Sequence, residues 1–348
     1  MDKKIDLRNK TVKELEELSV SLGEKKFRGK QIFSWVYKGT SDIDNMNNLP
    51  KKFKDDLKRV SYLKNMDILK VLESKIDGTK KYLFTLKDGN IIESVLMKYR
   101  HGNTVCVSTQ VGCRMGCGFC ASTIDGVVRN LTSGEIIGQV LTIQKDIGER
   151  ISNVVLMGSG EPLDNYDEVI KFLGIINHPL GLNISMRNIT ISTCGIVPKI
   201  LDLANMNLQI TLAISLHAPS NELRNQTMPI NKVYNIDELL KTCRYYTEKT
   251  NRRITFEYAL IKGFNDQPSH AYELSKKLQK MLCHVNLIPL NEVKERKFKA
   301  STDKSAKEFQ SILKKRGIEA TIRRELGSDI DAACGQLRKN YIDRINQK

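Results

Sequence analysis

No apolar run in this sequence approaches the roughly 20 residues that a membrane span needs. Met1 to Lys10 is polar and charged, not a basic stretch leading into an apolar one, so no secretory leader is read there and a cytoplasmic protein is expected. Internal repeats and low-complexity tracts are absent, which excludes a solenoid or a disordered tail. No heptad run stands out, and a monomer is expected. What is present suits a folded enzyme: 348 residues, of which 40% are hydrophobic, allow one large domain and a smaller accessory one. The eight cysteines are unlike a disulfide framework, because the cytoplasm keeps thiols reduced.

Acidic residues are the minority. The net charge is +16, and residues 1–100 alone carry 23 Lys/Arg against 15 Asp/Glu. An excess this large suits a polyanionic partner such as RNA or DNA, although solubility alone produces similar balances.

The chain opens with helical patterns. Thr11 is placed to cap a segment over 12–22, and further helices are expected over 29–37 and 51–60. Lys25, Lys26, Arg28, Lys30, Lys51, Lys52, Lys54, Lys58 and Arg59 stud this region and are suited to gripping a phosphate backbone. Between residues 66 and 98 the pattern changes to strands over 68–72, 80–86 and 91–98, with turns at Gly78 and Asp88-Gly89. From residue 104 strands and helices alternate. Strands are read at 104–109, 153–157, 188–192, 209–216, 254–260 and 284–289, with a weaker seventh at 320–323. Thr132-Ser133-Gly134-Glu135 forms a capping box ahead of the first of the intervening helices. Repeated βα units imply an α/β protein with a parallel sheet, closed or partly closed into a barrel. Gly158–Glu161, Ser192-Thr193, Ser215–His217 and Asn291 all follow strand ends, where barrels of this kind build their sites.

Cys113, Cys117 and Cys120 have C-x3-C-x2-C spacing in a loop rich in small residues (Gly112, Gly116, Gly118, Ala121). Three thiolates so close suit an iron–sulfur cube with one iron left open. A structural zinc site would need a fourth ligand, and no Cys or His follows at short spacing.

This loop, followed by the βα array, resembles the radical S-adenosylmethionine superfamily, and within it the RlmN/Cfr family of RNA adenine methyltransferases. The resemblance spans nearly the whole chain. It rests on Phe27–Ile32, Cys106–Cys113, Arg129-Asn130-Leu131, Met157–Leu163, Ser215–His217, Met228-Pro229-Ile230, Gly263–Asp266, His284–Asn291 and Asp329–Leu337. It implies a partial (β/α)6-type radical SAM barrel over 99–330, with a small N-terminal helical RNA-binding accessory domain over 1–65. A short antiparallel connecting unit is expected over 66–98 and a C-terminal segment carrying a methylated cysteine over 331–348.

The resemblance also implies chemistry. One 4Fe–4S cluster would sit on Cys113, Cys117 and Cys120, and two S-adenosylmethionine molecules would be used per turnover. One methylates Cys334; the other is cleaved to a 5′-deoxyadenosyl radical that removes a hydrogen atom from the S-methyl group. The carbon radical adds to the adenine, and Cys106 then attacks Cys334, leaving a transient disulfide and the methylated base. Cys194, Cys243 and Cys283 match no catalytic position and are assigned to packing. Glu93 matches a proton acceptor, and Gly160, Glu161, Ser192, Ser215, Leu216, His217 and Asn291 match the cofactor contacts. Ser159 stands where the family usually has Met.

Pro162-Leu163 after Glu161 resembles the members of the family that methylate C2, where Cfr-type members, which methylate C8, tend to have Ala at the first position. The implied substrates are adenine 2503 of 23S rRNA and adenine 37 of tRNA, with an electron donor such as flavodoxin. Two other classes are discriminated by metal content and charge: a radical enzyme acting on a small molecule or protein, and a non-catalytic RNA-binding protein with a structural metal.

Overall fold

The computed structural model describes residues 4–337; residues 1–3 of the expected accessory module and 338–348 of the expected C-terminal segment lie outside the described residues. Strands β1 (Ile5–Asp6) and β2 (Ser61–Tyr62) pair in parallel and bring together the two ends of a helical unit. Between them run α1 (Val12–Ser21), α2 (Arg28–Tyr37) and α3 (Lys51–Val60), close to the expected spans. Thr11 caps α1 as anticipated: its hydroxyl accepts from the Glu14 N–H at 3.2 Å, and the Glu14 carboxylate accepts from the Thr11 N–H at 2.7 Å. In α3 the apolar residues Phe53 and Leu57, one turn apart, are buried, and the basic residues Lys51, Lys52, Lys54, Lys58 and Arg59 are left at the surface or half-buried.

Four strands follow in an antiparallel meander: β3 (Asp67–Glu73), β4 (Lys80–Thr85), β5 (Ile91–Tyr99) and β6 (Gly102–Cys106). The antiparallel unit expected over 66–98 is continuous with the parallel strands. β6 pairs antiparallel with β5 on one side and parallel with β9 (Ile151–Leu156) on the other, so one sheet continues through both halves. A small ribbon, β7 (Gln110–Gly112) with β8 (Val127–Asn130), brackets the cysteine loop.

The remaining strands are parallel: β10 (Ile189–Thr193), β11 (Thr211–Ser215), β12 (Ile254–Leu260), β13 (Cys283–Pro289) and the short β14 (Ala320–Ile322). The connecting helices are α4 (Ser133–Ile147), α5 (Tyr166–Ile176), α6 (Val197–Met206), α7 (Asn221–Thr227), α8 (Ile236–Thr250), α9 (Pro268–Leu278) and α10 (Asp303–Lys315). The ten-stranded sheet runs from β14 at one edge to β3 at the other, so the barrel is partial and open, with seven parallel strands. Among the described residues no helix is long and apolar enough to cross a membrane.

Side-chain alternation divides the sheet into two faces. In β5, Ile92 and Leu96 join the main core, whereas Val95 and Met97 join a smaller apolar cluster with Cys106, Ala332 and Leu337. That second face carries the site.

Candidate functional site

The cysteine loop is held by main-chain bonds. Cys113 N–H donates to the Gly126 carbonyl at 3.1 Å, and Gly118 N–H donates to the Thr227 carbonyl at the end of α7 at 2.8 Å. Thr123 Oγ1 donates to the carbonyls of Cys117 and Cys120, and Arg296 Nη2 donates to the Cys120 carbonyl at 3.1 Å. Gly112 has φ +78°, and a Cβ there would run into the Gly126 carbonyl, so the loop requires glycine at its entry.

The three thiols line one wall of a single cavity. Burial raises all three pKa values, that of Cys113 to about 12. Such a donor set is protonated on its own and becomes a ligand set once cationic metal displaces the protons. Among the described residues no three Cys, His, Asp or Glu groups converge on a point as one metal ion would require. Three soft sulfur donors on one loop suit a cube with one open iron better than a four-ligand zinc site.

The same cavity is also lined from the strand ends. Gly160, Glu161, Ser192, Ser215, His217 and Asn291 all line this cavity, as does Cys334. Gly160 has φ +107°, and a Cβ would come within 2.7 Å of Gln110, so only glycine allows the backbone to pass there. Glu161 is buried; its carboxylate accepts from the N–H groups of Cys194 at 2.8 Å and Leu163 at 3.0 Å. Burial nonetheless raises its pKa. A buried carboxylate of this kind favours a cationic ligand.

Cys334 lies in a strap crossing the mouth. Ala121 N–H donates to the Gly335 carbonyl at 2.7 Å, and Ser122 Oγ to the Leu337 carbonyl at 2.7 Å. Asn291 Nδ2 donates to the Cys334 carbonyl at 3.0 Å, and Lys81 Nζ to the Asp331 carbonyl at 3.0 Å. A second, mainly apolar cavity is lined by Val95, Met97, Cys106, Met157 and Leu337 together with Cys334. Met157, Ile288, Asn291, Arg323 and Cys334 line both cavities. The two cysteines 228 positions apart in sequence therefore share one chamber, and Cys334 borders both. Burial raises the Cys106 thiol to about 12.

Two of the expected contacts sit differently. Leu216 lines neither cavity: its side chain is in the core, its N–H donates to the Glu257 carbonyl at 3.1 Å, and its own carbonyl accepts from Arg224. Glu93 also lines neither. It shares a strand face with Val95 and Met97 but is fully buried in an ion pair with Lys81, at 3.6 Å.

Several residues that the sequence did not single out belong here. Cys194, expected only to pack, lines the cluster cavity, whereas Cys243 and Cys283 are in the core. Glu257 and Arg323 line the cofactor cavity, and the Cys334 sulfur, ahead of Glu257, raises the pKa of the Arg323 guanidinium. Burial raises the pKa of Glu257. Ser159 is buried with no hydrogen-bond partner for its hydroxyl.

His217 is held with φ +56°; its Nδ1 accepts from the Ala259 N–H at 2.9 Å, and its ring meets Phe119 edge-on. Burial, assisted by the Arg224 charge, lowers its pKa from 6.5 to about 3. The folded chain keeps this imidazole neutral while the unfolded chain takes up a proton, so stability is lost as pH falls from 6.5 toward about 3. His217→Gln, which keeps an acceptor but does not titrate, is expected to flatten that loss, read as the urea midpoint against pH.

Residues 107–274 match the radical SAM superfamily, and residues 5–63 match the ribosomal RNA large subunit methyltransferase N-terminal domain. A protein of Alkaliphilus oremlandii described as a "probable dual-specificity RNA methyltransferase RlmN" is 62% identical over 339 residues, covering 97% of this chain and 99% of its own. One of Clostridium novyi with the same description is 62% identical, covering 96% of this chain and 98% of its own. The crystal structure of a radical SAM methyltransferase from Sphaerobacter thermophilus superposes with a TM-score of 0.92 at 44% identity, covering 96% of this chain and 99% of that one.

Proposed function

We propose that this chain, which belongs to the RlmN family of radical S-adenosylmethionine RNA methyltransferases, methylates C2 of adenine 2503 in 23S rRNA and of adenine 37 in tRNA. The observation that carries the reading is Cys334 on the wall common to the two cavities, with the three cluster-loop thiols in one and Cys106 in the other.

Adenine C2 is electron-poor and does not attack a sulfonium methyl directly, so the methyl group has to travel on the protein. A thiolate is a good nucleophile for accepting it. Cys334 faces the cofactor cavity and is the acceptor. Cys113, Cys117 and Cys120 hold the 4Fe–4S cluster. Glu161 would take the methionine ammonium beside Gly160, and Ser192, Ser215, His217 and Asn291 would complete the cofactor contacts; Leu216 supports them from the core. Held there, the cluster and cofactor would supply one electron and a carbon radical able to remove a hydrogen atom from the Cys334 S-methyl group.

The apolar chamber of Val95, Met97 and Met157 receives the base and excludes water around it. Cys106 takes up the C2 proton as the electron of the adduct radical would pass back to the bound cluster; deprotonated again, it attacks the Cys334 sulfur, the S–C bond breaks with its electron pair on carbon, that carbon takes a proton to complete the methyl group, and a disulfide remains. Glu93 does not reach the base directly: it lines neither cavity, and its buried carboxylate is held by Lys81. The basic helical module over 1–65 grips the RNA backbone, the 99–330 region is the catalytic core, and the 331–348 segment carries the methyl group. A cytoplasmic monomer reduced by a flavodoxin-type donor completes the reading.

The test is anaerobic reconstitution with S-adenosylmethionine and reductant on unmethylated 23S rRNA and on tRNA, followed by nucleoside mass spectrometry. 2-Methyladenosine from both RNAs is expected. 8-Methyladenosine would assign the Cfr-type reaction instead, and a colourless zinc protein without methyladenosine would overturn the reading.

A further inference from the structure

The rim of the Cys106 chamber carries a feature that the proposed chemistry does not use. β5 and β6 are joined by a turn over 99–102, closed by pairing of Tyr99 with Gly102. The Tyr99 and His101 rings stack across this turn with centroids 5.0 Å apart and planes within 13°. Both residues are exposed. Tyr99 lies on the same strand face as Val95 and Met97, which line the chamber, and its hydroxyl contacts the Met97 sulfur at 3.6 Å. Two exposed cations lie close in the fold: Arg100 on the turn and Arg324 on the chamber lining, whose charge acts on the Tyr99 hydroxyl. Burial raises the pKa of the Tyr99 hydroxyl, and the charges of Arg323, Cys334, Cys106 and Arg324 also act on it.

An exposed stacked aromatic pair among cations has a specific use on a nucleic-acid-binding protein. Every base has a π-face, and single-stranded nucleic acid is held by stacking on such rings while the cations take the phosphates. A base entering the chamber is unstacked from its neighbours, and the neighbour then presents an open face at the rim. We propose that Tyr99, backed by His101, is the platform on which a nucleotide flanking the target adenine stacks once that adenine has entered the Cys106 chamber. This rests on the RNA methyltransferase reading above, but it concerns RNA recognition only: methylation of Cys334 needs no RNA.

The experiment compares Tyr99→Ala, Tyr99→Phe and His101→Ala with the wild type, each reconstituted with cluster. Two readouts are taken: Cys334 methylation by S-adenosylmethionine alone, by intact-protein mass spectrometry, and KM for an RNA hairpin bearing the unmodified adenine. Loss of base stacking weakens binding by about 5- to 150-fold. Tyr99→Ala is expected to raise KM by that factor with Cys334 methylation within about twofold, Tyr99→Phe to stay near wild type, and His101→Ala to fall between. An unchanged KM in Tyr99→Ala and His101→Ala would overturn the platform, as would an equal defect in Cys334 methylation. Absence of RNA methylation by the wild type would strike at the function itself.

Discussion

Cys334→Ala is expected to give a brown protein with full iron and sulfide content that makes no methylated RNA, a loss of at least about 10³-fold. The strap does not depend on the thiol for its position. Its anchors from Lys81, Asn291, Ala121 and Ser122 all go to main-chain carbonyls, of Asp331, Cys334, Gly335 and Leu337, and alanine retains every one of them. What disappears is the nucleophile between the two cavities. Cys106→Ala is expected to fail later: the base adds to the Cys334-borne carbon, nothing displaces it, and enzyme and RNA stay covalently joined on a denaturing gel. Loss of iron in Cys334→Ala would instead make that residue a cluster ligand.

Arg224→Leu is expected to destabilise the chain by about 3–5 kcal/mol, a large share of ordinary domain stability. Arg224 is fully buried. Its guanidinium donates to the carbonyls of Cys194 at 2.6 Å, Ser215 at 3.2 Å and Leu216 at 3.2 Å, and to Asn231 Oδ1 at 3.1 Å. All four acceptors are neutral, so hydrogen bonding alone compensates the desolvation of the charge, which lowers the pKa of the group. These bonds tie the end of β10 to the end of β11, and α7 is itself tied to the cluster loop through Thr227. Leucine leaves four buried acceptors without a donor. Lysine keeps the charge but cannot span all four, so Arg224→Lys is expected to recover only part of the loss. Urea unfolding followed by circular dichroism measures both, and a Leu variant within 1 kcal/mol of wild type would show that the neighbouring backbone finds other partners.

The parts of this protein readable in the sequence are those with local signals. Periodicity located the helices of the accessory unit and most of the parallel strands, because apolar spacing is a property of the element itself. The capping boxes at Thr11 and Thr132 appear as read. The β7–β8 ribbon was missed because three- and four-residue strands carry no period. The continuity of the sheet through β6 was missed because which edge pairs with which is decided by packing.

The site shows the same division. The cysteine triplet announces itself by spacing, whereas the approach of Cys334 to Cys106 is long-range and came only through resemblance. Arg323 and Glu257 had a usable signal. Glu257 lies within β12 and Arg323 directly follows β14, strands that run toward the mouth, and charged residues so placed are candidates by position alone. Arg224 gave none, since a short polar helix between strands reads as surface, and only its hydrogen bonds show otherwise. Cys194 looked like a packing residue and proved to be cavity wall.

The central claim is that the methyl group reaches RNA by way of Cys334, and a single-turnover label experiment tests it most directly. Enzyme carrying a carbon-13 S-methyl group on Cys334 is mixed with unlabelled S-adenosylmethionine, reductant and an unmodified RNA hairpin, and the first product is analysed by mass spectrometry. The account predicts 2-methyladenosine carrying the carbon-13 that began on the protein. Unlabelled 2-methyladenosine in that first turnover would mean direct transfer from the cofactor and would contradict it.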